Sequence, residues 1–208
     1  MIEFLKNSVE FHHWGWNVQT IGAIGTLICT VFQGWGFWKQ SNVIWEKRSG
    51  ESVSVPMTGF WLVYFCAFVI YAVSVPSIAM TANCLLGIPI AVATLGLWRY
   101  KKRLVKEWGI VFLCTGFIPA MLFLPKKTVL IALYVPAYAF LVHQGYEVWK
   151  NGVGVLNSTF VAIFLATGFS WLVFTAATGQ WIIFIFNCLA GPVWVYILWK
   201  WYRTRVVL

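Results

Sequence analysis

The sequence predicts an all-α membrane protein with seven transmembrane helices, on three observations. Of its 208 residues 61% are hydrophobic and only 10% are charged, whereas soluble domains carry about 25% charged residues. Seven apolar runs follow one another, several of them close to the roughly 20 residues that a spanning helix needs. The third observation is an internal repeat, in which one polar position inside an apolar span occurs twice.

The apolar runs and their flanks give first expectations for the local structure. Span 1 contains small residues such as Gly22 and Gly25, which predicts close packing inside its own three-helix unit. Ser54 and Ser158 suit the N-caps of spans 2 and 6. Residues 1–17 lack the cleavage site of a signal peptide, so we expect a short exposed arm. The predicted spans are 18–38, 57–76, 79–98, 109–124, 128–142, 157–177 and 181–199.

The repeat has an offset of 104 residues. Asn83, inside span 3, returns as Asn187 inside span 7, and Gln40 matches Gln144 in the same register. A carboxamide inside hydrocarbon needs a partner or a polar cavity, so an amide at the same place in both halves suggests a shared cavity. The alternative is that each amide only joins neighbouring helices. Further matches are Trp45 with Trp149, Ser54 with Ser158, and Ala72 with Ala176.

Spacing also predicts how deep the candidate side chains lie. Trp171 and Asn187 are each eight residues from Gly179, in the short turn between spans 6 and 7. At 1.5 Å per residue this is about 12 Å, close to the middle of a roughly 30 Å hydrocarbon core. Ala67 and Asn83 are equally placed in the first half. We therefore expect these four residues near the midplane.

The basic residues predict the orientation. When the spans are threaded alternately, 12 of the 15 lysines and arginines fall on one side, which indicates a cytoplasmic C-terminus and an outside N-terminus. This fits a plasma membrane or a bacterial inner membrane. Because the charges are scattered beside hydrocarbon, we expect no nucleic-acid partner. The majority side has Lys39, Lys47, Arg48, Arg99, Lys101, Lys102, Arg103, Lys106, Lys150, Lys200, Arg203 and Arg205, and the other side has Lys6, Lys126 and Lys127.

One family resembles this pattern. The spacing from Gln40 through Trp45 to Ser54, with Pro56 two residues later, is similar to the PQ-loop signature of the SWEET and SemiSWEET sugar transporters. The resemblance implies two parallel three-helix repeats joined by a linker helix, a 3+1+3 arrangement. It divides the chain into an extracellular arm (1–17), a first repeat (18–102), the linker (103–124), a second repeat (125–203) and a cytoplasmic tail (204–208).

The resemblance also implies a sugar pocket and a gate. In the family a Trp and an Asn at midplane depth line the pocket, and Asn83, Asn187 and Trp171 match them. Ala67 does not match, so Phe68 is expected to supply that wall. Tyr64 and Gly168 are expected one turn further out. The gate residues implied are Gln40, Gln144, Lys39, His143 and Pro56; Lys39 and His143 replace the signature prolines, which puts the family's hinge in question.

The resemblance implies a uniporter that moves a mono- or disaccharide, and the positions of the acidic residues favour facilitated diffusion. All six acidic residues fall outside the predicted spans or at their ends, so no carboxylate is available in the membrane core to carry a proton. No catalytic constellation is visible, and we expect neither an enzyme nor a cofactor. The adjacent His12 and His13 do not predict a metal site. The expected partners are a small-molecule substrate and the lipid bilayer; self-association is left open.

Two other functions suit the same pattern. A vitamin or nucleoside carrier, resembling the nicotinamide riboside transporters, would also use a stacking Trp and two amides. A sorting receptor of PQ-loop architecture is the alternative outside transport, but such receptors need buried charges to hold a peptide, and none is predicted here. Binding of a peptide without solute flux would favour the receptor.

The charge distribution yields a topological prediction. A cysteine replacing Lys102 lies on the cytoplasmic side if the orientation is correct. An impermeant thiol reagent added to intact cells should therefore fail to label it, and should label it after the membrane is permeabilised. Strong labelling in intact cells would reverse the orientation.

Overall fold

The computed structural model of the chain describes residues 8–10, 15–101 and 105–206. Within these residues all regular structure is helical, and seven helices are long and apolar enough to cross a membrane. The predicted fold class, an all-α membrane protein with seven spans, is confirmed. The helices are α1 (Val18–Lys47), α2 (Val55–Ser74), α3 (Ile78–Tyr100), α4 (Val105–Phe123), α5 (Lys126–Asn151), α6 (Ser158–Ala177) and α7 (Trp181–Val206).

Three helices extend well beyond their predicted ends, α1 and α5 furthest and α7 to Val206. The apolar runs stop at 38 and 142, but α1 continues to Lys47 and α5 to Asn151. The added turns contain Lys, Gln and Glu, which are good helix formers, so polarity did not mark a helix end. Arg48, in the left-handed conformation (φ 48°), ends α1, and Gly152 (φ 72°) ends α5. Residues 39–47 and 143–151, which lie outside the predicted spans, are therefore helical, Lys39 and His143 among them.

Helix packing follows the internal repeat. α3 packs between α1 and α2, and α7 packs between α5 and α6. Across the two halves α1 packs against α6, and the corresponding pair, α5 and α2, also packs together. α4 contacts α2 and α5. A rotation that exchanges the halves would exchange these contacts, as expected for parallel repeats.

The small residues of α1 have a different partner from the one predicted. A Cβ added to Gly22 would lie 3.0 Å from the Cα of Phe174, and one added to Gly36 would lie 3.4 Å from the Cα of Phe160. Phe160 and Phe174 both belong to α6, in the other half of the chain. Span 1 does pack against α3 of its own unit, but these two glycines admit the backbone of α6 from the other half.

The N-caps of α2 and α6 show that these two helices are related by an offset one residue shorter than the rest of the repeat. The Ser54 side chain accepts a hydrogen bond from the Met57 amide, as predicted for an N-cap. In the second half the cap is Asn157, whose side chain accepts from the Phe160 amide, and Ser158 is the first helical residue. The side-chain oxygen of Asn157 accepts this hydrogen bond from the Phe160 N–H as well as a serine hydroxyl would. Since α2 and α6 both have 20 residues, their offset is 103 throughout.

The N-terminal arm is partly buried. Ser8 and Glu10 are 0% and 3% exposed. The Glu10 carboxylate accepts hydrogen bonds from the Ser77 hydroxyl at 2.6 Å and from the amides of Ile78 and Ala79 at 3.1 and 3.0 Å. An anion is stabilised at this position because the first amides of a helix are free. The prediction of an exposed arm is therefore wrong for residues 8–10. Residues 1–7, 11–14 (with His12 and His13), 102–104 and 207–208 lie outside the described residues.

The contact between α1 and α6 predicts a stability effect. Gly22→Leu should lower the melting temperature in detergent, because overpacking costs roughly 1 to 3 kcal/mol. Gly109→Leu on α4 is the matched control, since a Cβ there meets no atom within 4 Å. Equal melting temperatures for the two variants would contradict the close α1–α6 contact.

Candidate functional site

A cavity of about 790 Å³ lies at the centre of the bundle and is lined by residues of α1, α2, α3, α5, α6 and α7. Half of its 24 lining residues are aromatic, and none carries a charge. The polar lining residues include Gln33, Asn83 and Asn187. The wall is therefore suited to a neutral ligand that offers a flat or apolar face and a few hydrogen-bonding groups.

Six of the seven predicted pocket residues lie on this wall, and Ala67 does not. Ala67 is completely buried in the protein core. The 103-residue offset of α2 and α6 supplies the reason, because it pairs Trp171 with Phe68 and leaves Ala67 opposite Ser170. The six residues on the wall are Tyr64, Phe68, Asn83, Gly168, Trp171 and Asn187.

The two predicted asparagines are held differently. The Thr30 hydroxyl lies 3.4 Å from Asn83 Oδ1 and also donates to the Thr26 carbonyl at 2.9 Å. Asn83 is 7% exposed and ends the first part of α3, where a 3₁₀ turn follows at Cys84–Leu86. Asn187 instead donates to the carbonyl of Ile183 on its own helix at 2.8 Å. Its Oδ1 faces the space beside Gly168, so its acceptor is turned to the cavity.

Two polar residues of the cavity were not predicted. The hydroxyls of Tyr64 and Tyr134 are 2.8 Å apart and join α2 to α5 across the two halves. Gln33 is 7% exposed, and its buried Oε1 has no hydrogen-bond partner. A glutamine in the middle of span 1 was a visible signal, because polar residues at that depth usually face the bundle interior. Tyr134 gave no such signal among many aromatic residues.

The predicted gate glutamines form reciprocal contacts between the halves. Gln40 of α1 donates to the Val155 carbonyl at 3.2 Å and accepts from the Asn157 amide at 2.8 Å. Gln144 of α5 donates to the Ser52 carbonyl at 2.7 Å and accepts from the Ser54 amide at 2.8 Å. Each side chain therefore binds the segment that precedes the capped helix of the other half.

The other three predicted gate residues differ in whether they contact the other half. His143 Nδ1 is 2.9 Å from the Ser54 hydroxyl, so it joins the contact made by Gln144. Lys39 places its ammonium 3.9 Å from the centre of the Trp35 ring on its own helix and makes no described contact with the other half. Pro56 is the second residue of α2 and is buried, where a missing N–H costs nothing.

A charged cluster lies beside the Gln144 contact. Lys101 donates to Glu147 at 3.1 Å and to the Val53 carbonyl at 3.0 Å. Glu107, His143 and Glu147 each place a ligand atom within 4.8 Å of the others. A divalent cation there would have to displace the Lys101 ammonium. We therefore interpret the cluster as an ion-pair network that joins α3, α4 and α5.

The fold and the cavity define a class: a seven-helix membrane protein with an uncharged, aromatic central cavity between two similar halves. Comparisons with protein-family models, curated proteins and solved structures found no match to the chain. The resemblance to the SWEET and SemiSWEET family therefore stays a hypothesis based on sequence.

The reciprocal glutamine contacts predict matched losses of stability. Gln40→Leu and Gln144→Leu should each lower the melting temperature, because an amide and a carbonyl lose their partner at roughly 1 to 3 kcal/mol per unpaired group. Gln33→Leu is the control on the same helix, since its Oε1 has no partner to lose. A gate variant as stable as the wild type would show that its contact does not hold the halves together.

Proposed function

We propose that the protein is a uniporter for sugars, which moves its substrate by facilitated diffusion through the central cavity. The observation that carries the proposal is the cavity wall, to which both halves contribute an asparagine and aromatic rings but no charge. The proposal takes residues 18–102 and 125–203 as the two moving units and 103–124 as the linker. The N-terminus is outside, the C-terminus is cytoplasmic, and the membrane is a plasma membrane or a bacterial inner membrane.

The wall chemistry supports a sugar. A sugar ring has a face of C–H groups, which packs on aromatic rings, and an edge of hydroxyls, which both donate and accept. Trp171 and Phe68 offer such rings from the two halves, and Asn83 and Asn187 offer amides. The volume of about 790 Å³ lies within the range of small-molecule sites, about 300–1,000 Å³, and leaves room for a disaccharide.

Facilitated diffusion is supported by where the acids lie. The described lining of the cavity contains no Asp, Glu, His, Lys or Arg, so a proton has no carrier beside the substrate. Glu107 and Glu147 lie instead in the charged cluster with Lys101. A carrier without a coupling ion moves its substrate only down the gradient.

The glutamine contacts support alternating access. In the proposed orientation Gln40 and Gln144 lie towards the cytoplasm, where they join the two halves through four hydrogen bonds to the main chain. Opening the cavity on that side requires these bonds to break together. Each bond contributes only about 0.5 to 1.5 kcal/mol net, so the closed end can open when the halves rock.

The lining of the cavity suits one of the two alternative functions better than the other. A vitamin or nucleoside carrier remains a second candidate, because half of the lining residues are aromatic and would stack on a flat ring. A sorting receptor is less well suited, because a peptide signal is held by charges and the described wall has none.

The test is uptake into proteoliposomes from a panel of hexoses, disaccharides and nucleosides, with affinity and melting temperature measured on the same variants. Asn83→Ala, Asn187→Ala and Trp171→Ala should each weaken substrate binding by about 5- to 150-fold, equivalent to roughly 1 to 3 kcal/mol. Ala67→Ser is the control, because Ala67 lies off the wall. Uptake should persist when an uncoupler removes the proton gradient.

Three results would count against the proposal. Uptake of nucleosides without sugars would favour the second candidate. Normal affinity in both Asn variants, with reduced melting temperature, would make the asparagines structural. Accumulation above equilibrium that an uncoupler abolishes would replace facilitated diffusion by proton coupling.

A further inference from the structure

The central cavity continues sideways between α6 and α7. Its wall includes Phe169 of α6 and Val195 and Trp199 of α7, which are 65%, 52% and 50% exposed on the outer surface of the bundle. In helices that span a membrane, this outer surface contacts lipid chains. The cavity thus reaches from the polar residues at the centre to the hydrocarbon that surrounds the protein.

The cavity is open between α6 and α7 near Asn187 because two glycines contribute no side chain there. A Cβ added to Gly191 of α7 would meet no atom within 4 Å, and one added to Gly168 of α6 would come no nearer than 3.9 Å, to Asn187 Oδ1. Both glycines line the cavity. We call the gap bordered by Gly168, Phe169, Gly191 and Val195 the α6–α7 window.

The first half provides an internal comparison in which the same gap is filled. Gly191 corresponds to Gly87 of α3, and the 103-residue offset pairs Gly168 with Phe65 of α2. A Cβ added to Gly87 would lie 3.7 Å from the Cβ of Phe65, and Phe65 is only 4% exposed. The window is therefore a feature of the second half, since the equivalent gap holds a phenylalanine.

The routes along the bundle axis are crossed by hydrogen bonds at both ends. Gln40 and Gln144 join the halves at one end. At the other end Gln19 donates to the Ala177 carbonyl at 2.9 Å, and the Tyr71 hydroxyl donates to Gln180 Oε1 at 3.2 Å. A ligand present in the bilayer could reach the cavity through the window without breaking any of these bonds.

The inner end of this path is polar and rich in acceptors. Gln33 Oε1 is buried and has no partner, and Asn187 Oδ1 faces the window side of the cavity. A buried acceptor without a partner is costly, so it favours a ligand that donates an O–H or N–H. Because the wall has no charge to pair with an ion, the donating head must be neutral.

We propose that the site takes a neutral amphiphile directly from the bilayer: a hydroxyl-bearing sugar head against Gln33, Asn83 and Asn187, and one alkyl chain lying through the α6–α7 window. The recognition of the head rests on the proposed function, while the chain and the lateral route go beyond it. The alkyl chain stays in contact with apolar side chains and lipid throughout, so only the head has to be desolvated.

The test uses an octyl glucoside that carries a photoreactive diazirine at the end of its chain, in proteoliposomes. Labels should concentrate on residues of the window, and excess unmodified octyl glucoside should remove them. Labels on the exposed face of α4, for example at Leu113, report background lipid contact and should remain. An alkyl diazirine without the sugar should give only the background pattern.

Two variants close the window, and one is a control. Gly191→Phe fills the gap from α7, where a Cβ meets no atom within 4 Å, and Val195→Trp blocks the outer rim at an exposed position where folding is less at risk. Each should reduce window labelling by about tenfold. A probe whose alkyl chain can no longer bury two of its methylene groups loses about that much affinity. Gly109→Phe, in open space on α4, should leave the labelling unchanged.

The outcomes separate this inference from the carrier proposal, because uptake of free sugar is measured on the same preparations. Window labelling in a protein that transports no free sugar would support the lateral site and contradict the uniporter. Equal labelling of the window by the sugar-free probe, or labelling that both window variants leave unchanged, would overturn the inference even if sugar uptake is normal.

Discussion

The structure depends on one constraint: a polar group buried among apolar helices needs a hydrogen-bond partner, because water is not there to supply one. The protein meets it where backbone groups are free, just before helices begin. Gln40 and Gln144 bind the segments before α6 and α2, and Glu10 binds the first amides of α3. Since the glutamines bind the opposite half, satisfying the side chains also joins the halves. Gln33, which lines the cavity, is an exception, because its buried Oε1 has no hydrogen-bond partner.

The two halves agree in their framework and differ around the cavity. The glutamine contacts and the glycines at 87 and 191 occur in both. Behind the cavity wall, Thr30 of the first half, whose hydroxyl lies 3.4 Å from Asn83 Oδ1, corresponds to Tyr134, whose hydroxyl crosses to Tyr64. Gln33 corresponds to Ala137, and Phe65 to Gly168. A ligand in this cavity therefore meets different chemistry on its two sides, which favours one bound orientation and suits a molecule with one polar and one apolar part.

The contacts between the halves also differ in kind. α1 and α6 approach closely at Gly22 against Phe174 and also pack Phe37 against Phe160 and Phe164, whereas α2 and α5 meet through large aromatic side chains. Phe60 and Phe140, for example, lie 5.3 Å apart in an edge-to-face arrangement. Close backbone packing restricts sliding more than side-chain packing does, because side chains can change rotamer. The close approach of two backbones at Gly22 is thus a feature of the α1–α6 contact.

Local sequence features predicted the seven helices and the cap at Ser54, and they singled out the two asparagines that line the cavity. These depend on composition, periodicity and local hydrogen bonds, which neighbouring residues decide. The sequence could not decide that α1 packs against α6, that Asn157 takes the cap predicted for Ser158, or that Phe68 stands where Ala67 was expected. A single-residue change of register rotates a helix by about 100°, so only the packed structure determines which side chain reaches the cavity. The window between α6 and α7 likewise exists only in three dimensions, because it is formed by the absence of a side chain at two glycines that the chain separates by 23 residues.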